Sequence, residues 1–157
     1  MPITVPTDIA GCQIWLAGDT ITGLSNSDPV TTWTNGGSGP SINGSATERP
    51  TYRTNVLNGK AVVRFGGSND RFTFSGTLTL TDFEMFFVVN QGVSGDYAIM
   101  GTSLSQPQIR YGQGGNFLST YDGTNNPSSS VLGVARGSWS TIQFSRTSNT
   151  VTFRQNG

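Results

Sequence analysis

Five dipeptides of one kind punctuate this chain: Asn35-Gly36, Asn43-Gly44, Asn58-Gly59 and Asn156-Gly157, with Asp122-Gly123 beside them. Two-residue hairpin turns demand positive φ angles, which glycine adopts freely and Asn or Asp tolerates, so these pairs are strong short-range signals for antiparallel strands. Between such signals lie short runs rich in β-branched and aromatic residues: 13–17, 30–34, 61–65, 71–74, 83–91, 97–101, 108–111, 116–121, 138–146 and 150–154. About ten strands at this spacing predict an all-β sandwich or barrel.

Composition agrees with that reading. Gly, Ser, Thr and Asn make up 72 of 157 residues, and strong helix formers are scarce, with one Lys (Lys60) and two Glu (Glu48, Glu84). A helical bundle is excluded on these grounds. The length suits one sandwich domain over residues 1–157, with the natural chain free to continue beyond residue 157.

Two kinds of strand are expected. The run Phe83-Glu84-Met85-Phe86-Phe87-Val88-Val89 is apolar at nearly every position, which predicts a central strand covered on both faces. Ile142 and Phe144 alternate with Thr141, Gln143 and Ser145, and Val151 and Phe153 alternate with Thr152 and Arg154. That pattern predicts a hairpin pair wet on one side. The second strand of the pair runs into Asn156-Gly157, so its edge is expected to lie open to a partner.

Charge narrows the partners. Nine basic and nine acidic residues cancel, and the basic ones do not cluster along the sequence, which argues against nucleic acid and anionic membrane. Cys12 stands alone, so it forms no internal disulfide and reads as a small buried residue of the first strand. The start Met1-Pro2-Ile3-Thr4 shows no secretory leader, which favours a protein assembled into a particle.

Catalytic groups are sparse. With no His in the chain, a Ser-His or Cys-His nucleophile is impossible, and zinc or copper would lack its usual ligands. Glycoside hydrolysis needs paired carboxylates, whereas Glu84 stands among apolar neighbours and Glu48 in a Pro-containing loop. A non-enzymatic role follows. Calcium is the one metal with candidate ligands, Asp70 and Asp122, although Asx residues in such loops also serve simply to cap turns. For a ligand, Tyr111 and Tyr121 border polar loops, and Tyr121 leads into Asp122, Asn125 and Asn126. Trp15 and Trp139 read as core packing. The tract Gly112-Gln113-Gly114-Gly115 reads as a turn, since no helix follows it to make a phosphate loop.

The ordered landmarks Ile14-Trp15-Leu16-Ala17, Val30-Thr31-Thr32-Trp33, Arg49-Pro50-Thr51-Tyr52 and Leu57-Asn58-Gly59-Lys60-Ala61-Val62-Val63-Arg64-Phe65-Gly66-Gly67-Ser68-Asn69-Asp70 resemble the laminin-G-like jelly-roll family of the concanavalin A-like lectin and glucanase superfamily. The likeness is strongest over residues 10–75 and continues more loosely to the end. It implies a jelly-roll sandwich of two antiparallel sheets, as found in secreted bacterial proteins, animal matrix proteins and bacteriophage particle proteins, usually for adhesion. Where such relatives often carry Asp after the Arg-Phe pair, this chain has Gly66.

The resulting expectation is a structural or adhesive protein on a bacteriophage particle surface: a capsid decoration, head fibre or tail adhesin. It would contact virion coat proteins or sister copies and reach host-surface glycans through its loops. The alternative is an extracellular carbohydrate-binding module of a secreted bacterial protein.

Overall fold

Strands carry nearly all the regular structure, and every strand pairing is antiparallel. The computed structural model describes residues 4–66, 69–92, 97–101, 108–111, 118–121, 128–130, 137–148 and 150–156. Among them run β1 (Thr32–Trp33), β2 (Ile42–Asn43), β3 (Thr51–Leu57), β4 (Lys60–Arg64), β5 (Thr73–Phe74), β6 (Phe83–Asn90), β7 (Tyr97–Gly101), β8 (Gln108–Tyr111), β9 (Leu118–Tyr121), β10 (Ser128–Ser130), β11 (Trp139–Thr147) and β12 (Thr150–Gln155). Two short 3-10 turns, Pro6–Asp8 and Gly18–Thr20, are the only helical pieces described, and no helix is long and apolar enough to cross a membrane. The chain divides into two units, Met1–Thr79 and Leu80–Gly157.

In the first unit β1, β2 and β5 form one small sheet and β3 and β4 form a hairpin. Asn58 and Gly59 take φ of 49° and 74° between the paired residues Leu57 and Lys60, so this Asn-Gly pair makes the two-residue turn its composition predicts. Asn55, at φ 54°, interrupts β3 where the register shifts between Arg53 and Leu57. That bulge hides the strand from a simple alternation test.

Residues 13–17 do not form the expected strand. They are held instead by hydrogen bonds to residues 33–39, with backbone bonds from the Gly36 N–H to the Trp15 carbonyl (3.0 Å) and from the Gly39 N–H to the Gln13 carbonyl (2.8 Å), and with Asn35 making four side-chain bonds. Its Oδ1 accepts the N–H groups of Trp15 (2.7 Å) and Gly37 (2.9 Å), and its Nδ2 donates to the carbonyls of Gln13 (2.7 Å) and Gly39 (2.8 Å). Gly37 must be glycine for this docking, since a Cβ there would sit 2.5 Å from the Gln13 carbonyl oxygen. Asn35-Gly36 is thus a staple between segments, not a hairpin turn. Asn43 lies within β2, and the Gly44 N–H bonds the Thr31 carbonyl at 2.8 Å. Cys12 is half-buried and precedes this stapled segment, so it occupies no strand.

Around β5, Ile42 is buried opposite Phe74, and aromatic contacts add to that packing. Phe72 meets Trp33 edge-on at 6.0 Å and Phe65 at 5.7 Å, and the Trp33 indole N–H donates to the Ala17 carbonyl at 3.0 Å.

The second unit contains a sheet of order β12-β11-β6 and another of order β10-β9-β8-β7. Ile142, Phe144 and Phe153 are its buried centre, with Phe83, Met85, Phe87, Val89, Ile99, Met100 and Val151 packed around them. The alternation expected of β11 and β12 is therefore realised, with Phe144 and Phe153 side by side in register and their rings 4.9 Å apart. The expectation for β6 fails. Among the described residues it pairs with β11 alone rather than sitting mid-sheet, and its burial alternates strictly, with Glu84, Phe86, Val88 and Asn90 exposed. Trp15 and Trp139, expected in the core, are half-buried.

Candidate functional site: the outer face of the β12-β11-β6 sheet

Side chains alternate across a strand, so register alone assigns the two faces of this sheet. Trp139, Thr141, Gln143 and Ser145 on β11 stand opposite Asn90, Val88, Phe86 and Glu84 on β6, and Gln143 and Ser145 stand opposite Arg154 and Thr152 on β12. These residues share the outer face. The inner face carries Phe83, Met85, Phe87 and Val89 with Ile142, Phe144 and Phe153.

The outer face is unlike an ordinary wet face. Phe86 is 64% exposed and Val88 58%, adjacent same-face positions on β6, with half-buried Trp139 beyond them. Single exposed apolar residues are common; a contiguous strip of large ones on a flat sheet marks a contact surface. The strip is bordered by polar groups held in place. Gln143 donates through Nε2 to Glu84 Oε1, and Asn90 Nδ2 donates to the Gly137 carbonyl at 3.1 Å. At the far end of the hairpin, Asp82 Oδ1 accepts the Ser148 N–H at 2.7 Å, which fixes the β11–β12 turn against the start of β6. Asn156, at φ 54°, closes the other end by exchanging two hydrogen bonds with the backbone of Thr141, at 2.9 and 3.0 Å.

Charge sits at the two margins of this face. Glu84 lies on β6 and exposed Arg154 on β12, with Arg154 level with Phe86 because both pair with Gln143. Comparison with protein-family models, curated proteins and solved structures finds no match. The geometry of the chain itself therefore carries the functional reading.

The residues proposed from sequence fall elsewhere. Tyr111 ends β8, opposite Tyr97 and Leu118, while Tyr121 ends β9, opposite Gln108. The β8–β9 register places the two tyrosines at opposite ends of the ladder, three positions apart, and does not bring them together. Asp122, Asn125, Asn126 and the tract 112–115 lie outside the described residues. Asp70 is half-buried and spends Oδ2 on the Gly66 N–H at 2.5 Å, bridging the Gly-rich turn after β4. Among the described residues no three His, Cys, Asp or Glu side chains gather as a metal site.

Phe86 and Val88 were read as core because the whole run around them is apolar. A signal for their exposure was nevertheless present. Glu84 and Asn90 share their parity, so the face that holds the apolar pair begins and ends with polar groups.

Proposed function

We propose that this chain is a non-enzymatic docking and adhesion domain of a bacteriophage particle surface, with a lectin-like jelly-roll architecture, and that it engages a sister copy through the outer face of the β12-β11-β6 sheet. The observation that carries the reading is the exposed Phe86 and Val88 strip on β6 of the β12-β11-β6 sheet. A sister copy is favoured as the occupant because the face complements itself. A two-fold axis lying between the copies, parallel to β11, sets the β6 margin of each against the β12 margin of the other. Glu84 then approaches the partner's Arg154, and Phe86 lies under that guanidinium in a cation–π arrangement.

The size of the face explains why repetition matters. Three strands about 4.8 Å apart, of eight (β6), nine (β11) and six (β12) residues, cover roughly 14 by 26 Å, on the order of 400 Å2 per copy. A stable pair of proteins buries about 800 Å2 on each partner, so one such contact is weak and an array of copies makes it strong. A repetitive particle supplies that array. The jelly-roll resemblance and the Gly, Ser, Thr and Asn-rich, low-charge composition support the same setting.

Particles carrying the double substitution Phe86→Ser and Val88→Thr test this reading. The expected result is a correctly folded chain that is lost from the particle, with reduced particle stability or host adsorption. Unchanged retention, stability and adsorption would overturn it.

A further inference from the structure

The five basic residues of the first unit are scattered in sequence, yet strand register gathers three of them on one surface. Residues 27–31 run antiparallel to residues 50–52: Val30 N–H donates to the Pro50 carbonyl, Tyr52 N–H to the Asp28 carbonyl and Ser27 N–H to the Tyr52 carbonyl, each at 2.8 Å, with Pro29 opposite Thr51. On the other side of β3, Thr51 pairs with Arg64 and Arg53 with Val62. Pro50 and Tyr52 are buried, so alternation puts Arg49, Thr51 and Arg53 on the opposite face, with Arg64 across from Thr51.

None of these three arginines has a carboxylate partner among the described residues. The two ion pairs described are Lys60 with Asp19 and Arg71 with Glu48. Arg49 bonds neutral acceptors, Thr31 Oγ1 at 3.0 Å and the Ala46 carbonyl at 3.1 Å, and Arg53 bonds Ser27 Oγ at 2.6 Å. The Nε atoms of both are buried without an acceptor. Like charges at neighbouring cross-strand positions repel, and an anion laid over them relieves that repulsion.

We infer that this face binds an acidic polysaccharide. Arg49 and Arg53 stand four residues apart, about 13 Å along the strand, with Arg64 about 4.8 Å to one side. Charges spread in this way fit acidic groups repeated along an extended chain better than one compact ion. The hydroxyls of Ser27 and Thr31 accept hydrogen bonds from Arg53 and Arg49, and Thr51 Oγ1 donates to the Arg64 carbonyl, so hydroxyl groups that suit a sugar stand beside the arginines. Nucleic acid fits less well, because Arg49, Thr51, Arg53, Val62 and Arg64 on this face include no aromatic residue, and the nearest exposed ring, Phe65, follows Arg64 beyond the end of β4. This site lies wholly in the first unit and does not depend on the sheet face of the second.

Titration of the full chain at low ionic strength tests the inference, with polygalacturonate as the carboxylate arm, dextran sulfate as the sulfate arm, and neutral dextran and single-stranded DNA as competitors for the assignment. The expected result is binding to at least one acidic glycan and none to neutral dextran. The double variant Arg53→Gln and Arg64→Gln should weaken that binding at least tenfold and flatten its salt dependence, while Arg146→Gln, in the second unit, leaves it unchanged. Should Arg53→Gln unfold the hairpin, Arg64→Gln alone, at an exposed residue without an ion pair, should still weaken binding severalfold. No binding to either acidic glycan, equal binding to neutral dextran, or unchanged affinity in Arg64→Gln overturns the proposal. DNA binding as tight as glycan binding overturns the choice of ligand.

Discussion

The two units solve the same problem, holding short antiparallel strands together, with different chemistry. In the second unit, long strands present an apolar inner face, and Ile142, Phe144 and Phe153 close around it. The first unit has several two-residue strands; it buries Val30, Ile42, Pro50 and Tyr52, but its extended segments are joined by scattered backbone bonds and by side-chain hydrogen bonds to backbone, above all from Asn35. Burial is non-directional and tolerates local error, whereas a hydrogen-bonded staple depends on one residue and its geometry. The difference also shapes the outer surfaces. The apolar excess of β6 spills onto an exposed strip, while β3 and β4 turn arginines outward.

The contrast is broken most forcibly at Phe144. Its ring lies 5.3 Å from Phe83 and 4.9 Å from Phe153, and Phe144→Ala should cost about 3–5 kcal/mol through lost burial and the cavity left behind. Urea unfolding should show that loss in the second unit, and a cost below about 1 kcal/mol would contradict a core centred there.

Asn35 is the matching test of the first unit. Asn35→Ala strips partners from the Trp15 and Gly37 N–H groups and the Gly39 carbonyl, while the Gln13 carbonyl keeps the Gly39 N–H, and should destabilise by about 1–3 kcal/mol, with faster amide exchange at Trp15 and Gly37. Asn35→Asp sharpens the point. It keeps the acceptor for both N–H groups but removes both donors, so Trp15 and Gly37 should stay more protected than in the alanine variant.

A smaller effect is expected at Gly59. With φ at 74° and nothing near its missing Cβ, Gly59→Ala meets backbone strain alone and should cost about 1 kcal/mol, seen as opening of the β3–β4 hairpin.

The smallest is the exposed Lys60–Asp19 pair. Hydrogen bonding from Lys60 holds the Asp19 carboxyl below the usual range, and the same bond from Asp19 raises the Lys60 ammonium. For Asp19, the stabilisation is present above the unfolded carboxylate value and is lost as pH falls through the lower folded one. For Lys60, it is present below the unfolded ammonium value and is lost as pH rises through the higher folded one. Lys60→Met should therefore differ slightly from the wild type near neutral pH, and the difference should vanish in acid. A difference that persists below both carboxylate values would assign it to packing of the lysine stem.

Legibility in the sequence followed the range of the interaction and not the unit. β11 and β12 were readable because Ile142, Phe144, Val151 and Phe153 alternate with polar residues, and one buried face dictates that pattern. Asn58-Gly59 was readable because the turn it makes needs that chemistry. The role of Asn35 was not, since its partners at residues 13 and 15, 22 and 20 positions away, become neighbours only after folding. The arginine face was hidden for the same reason, as Arg49, Arg53 and Arg64 meet only through the β3–β4 register. β6 was misread because an apolar run looks alike whether its second face is covered by its own chain or left for another.

The most direct test of that last distinction is the concentration dependence of backbone amide chemical shifts in the full chain. The account predicts that, approaching millimolar concentration, shifts concentrate at residues 84–90 and 152–154 and disappear in the Phe86→Ser, Val88→Thr variant. Shifts independent of concentration, or confined to other strands, would contradict it.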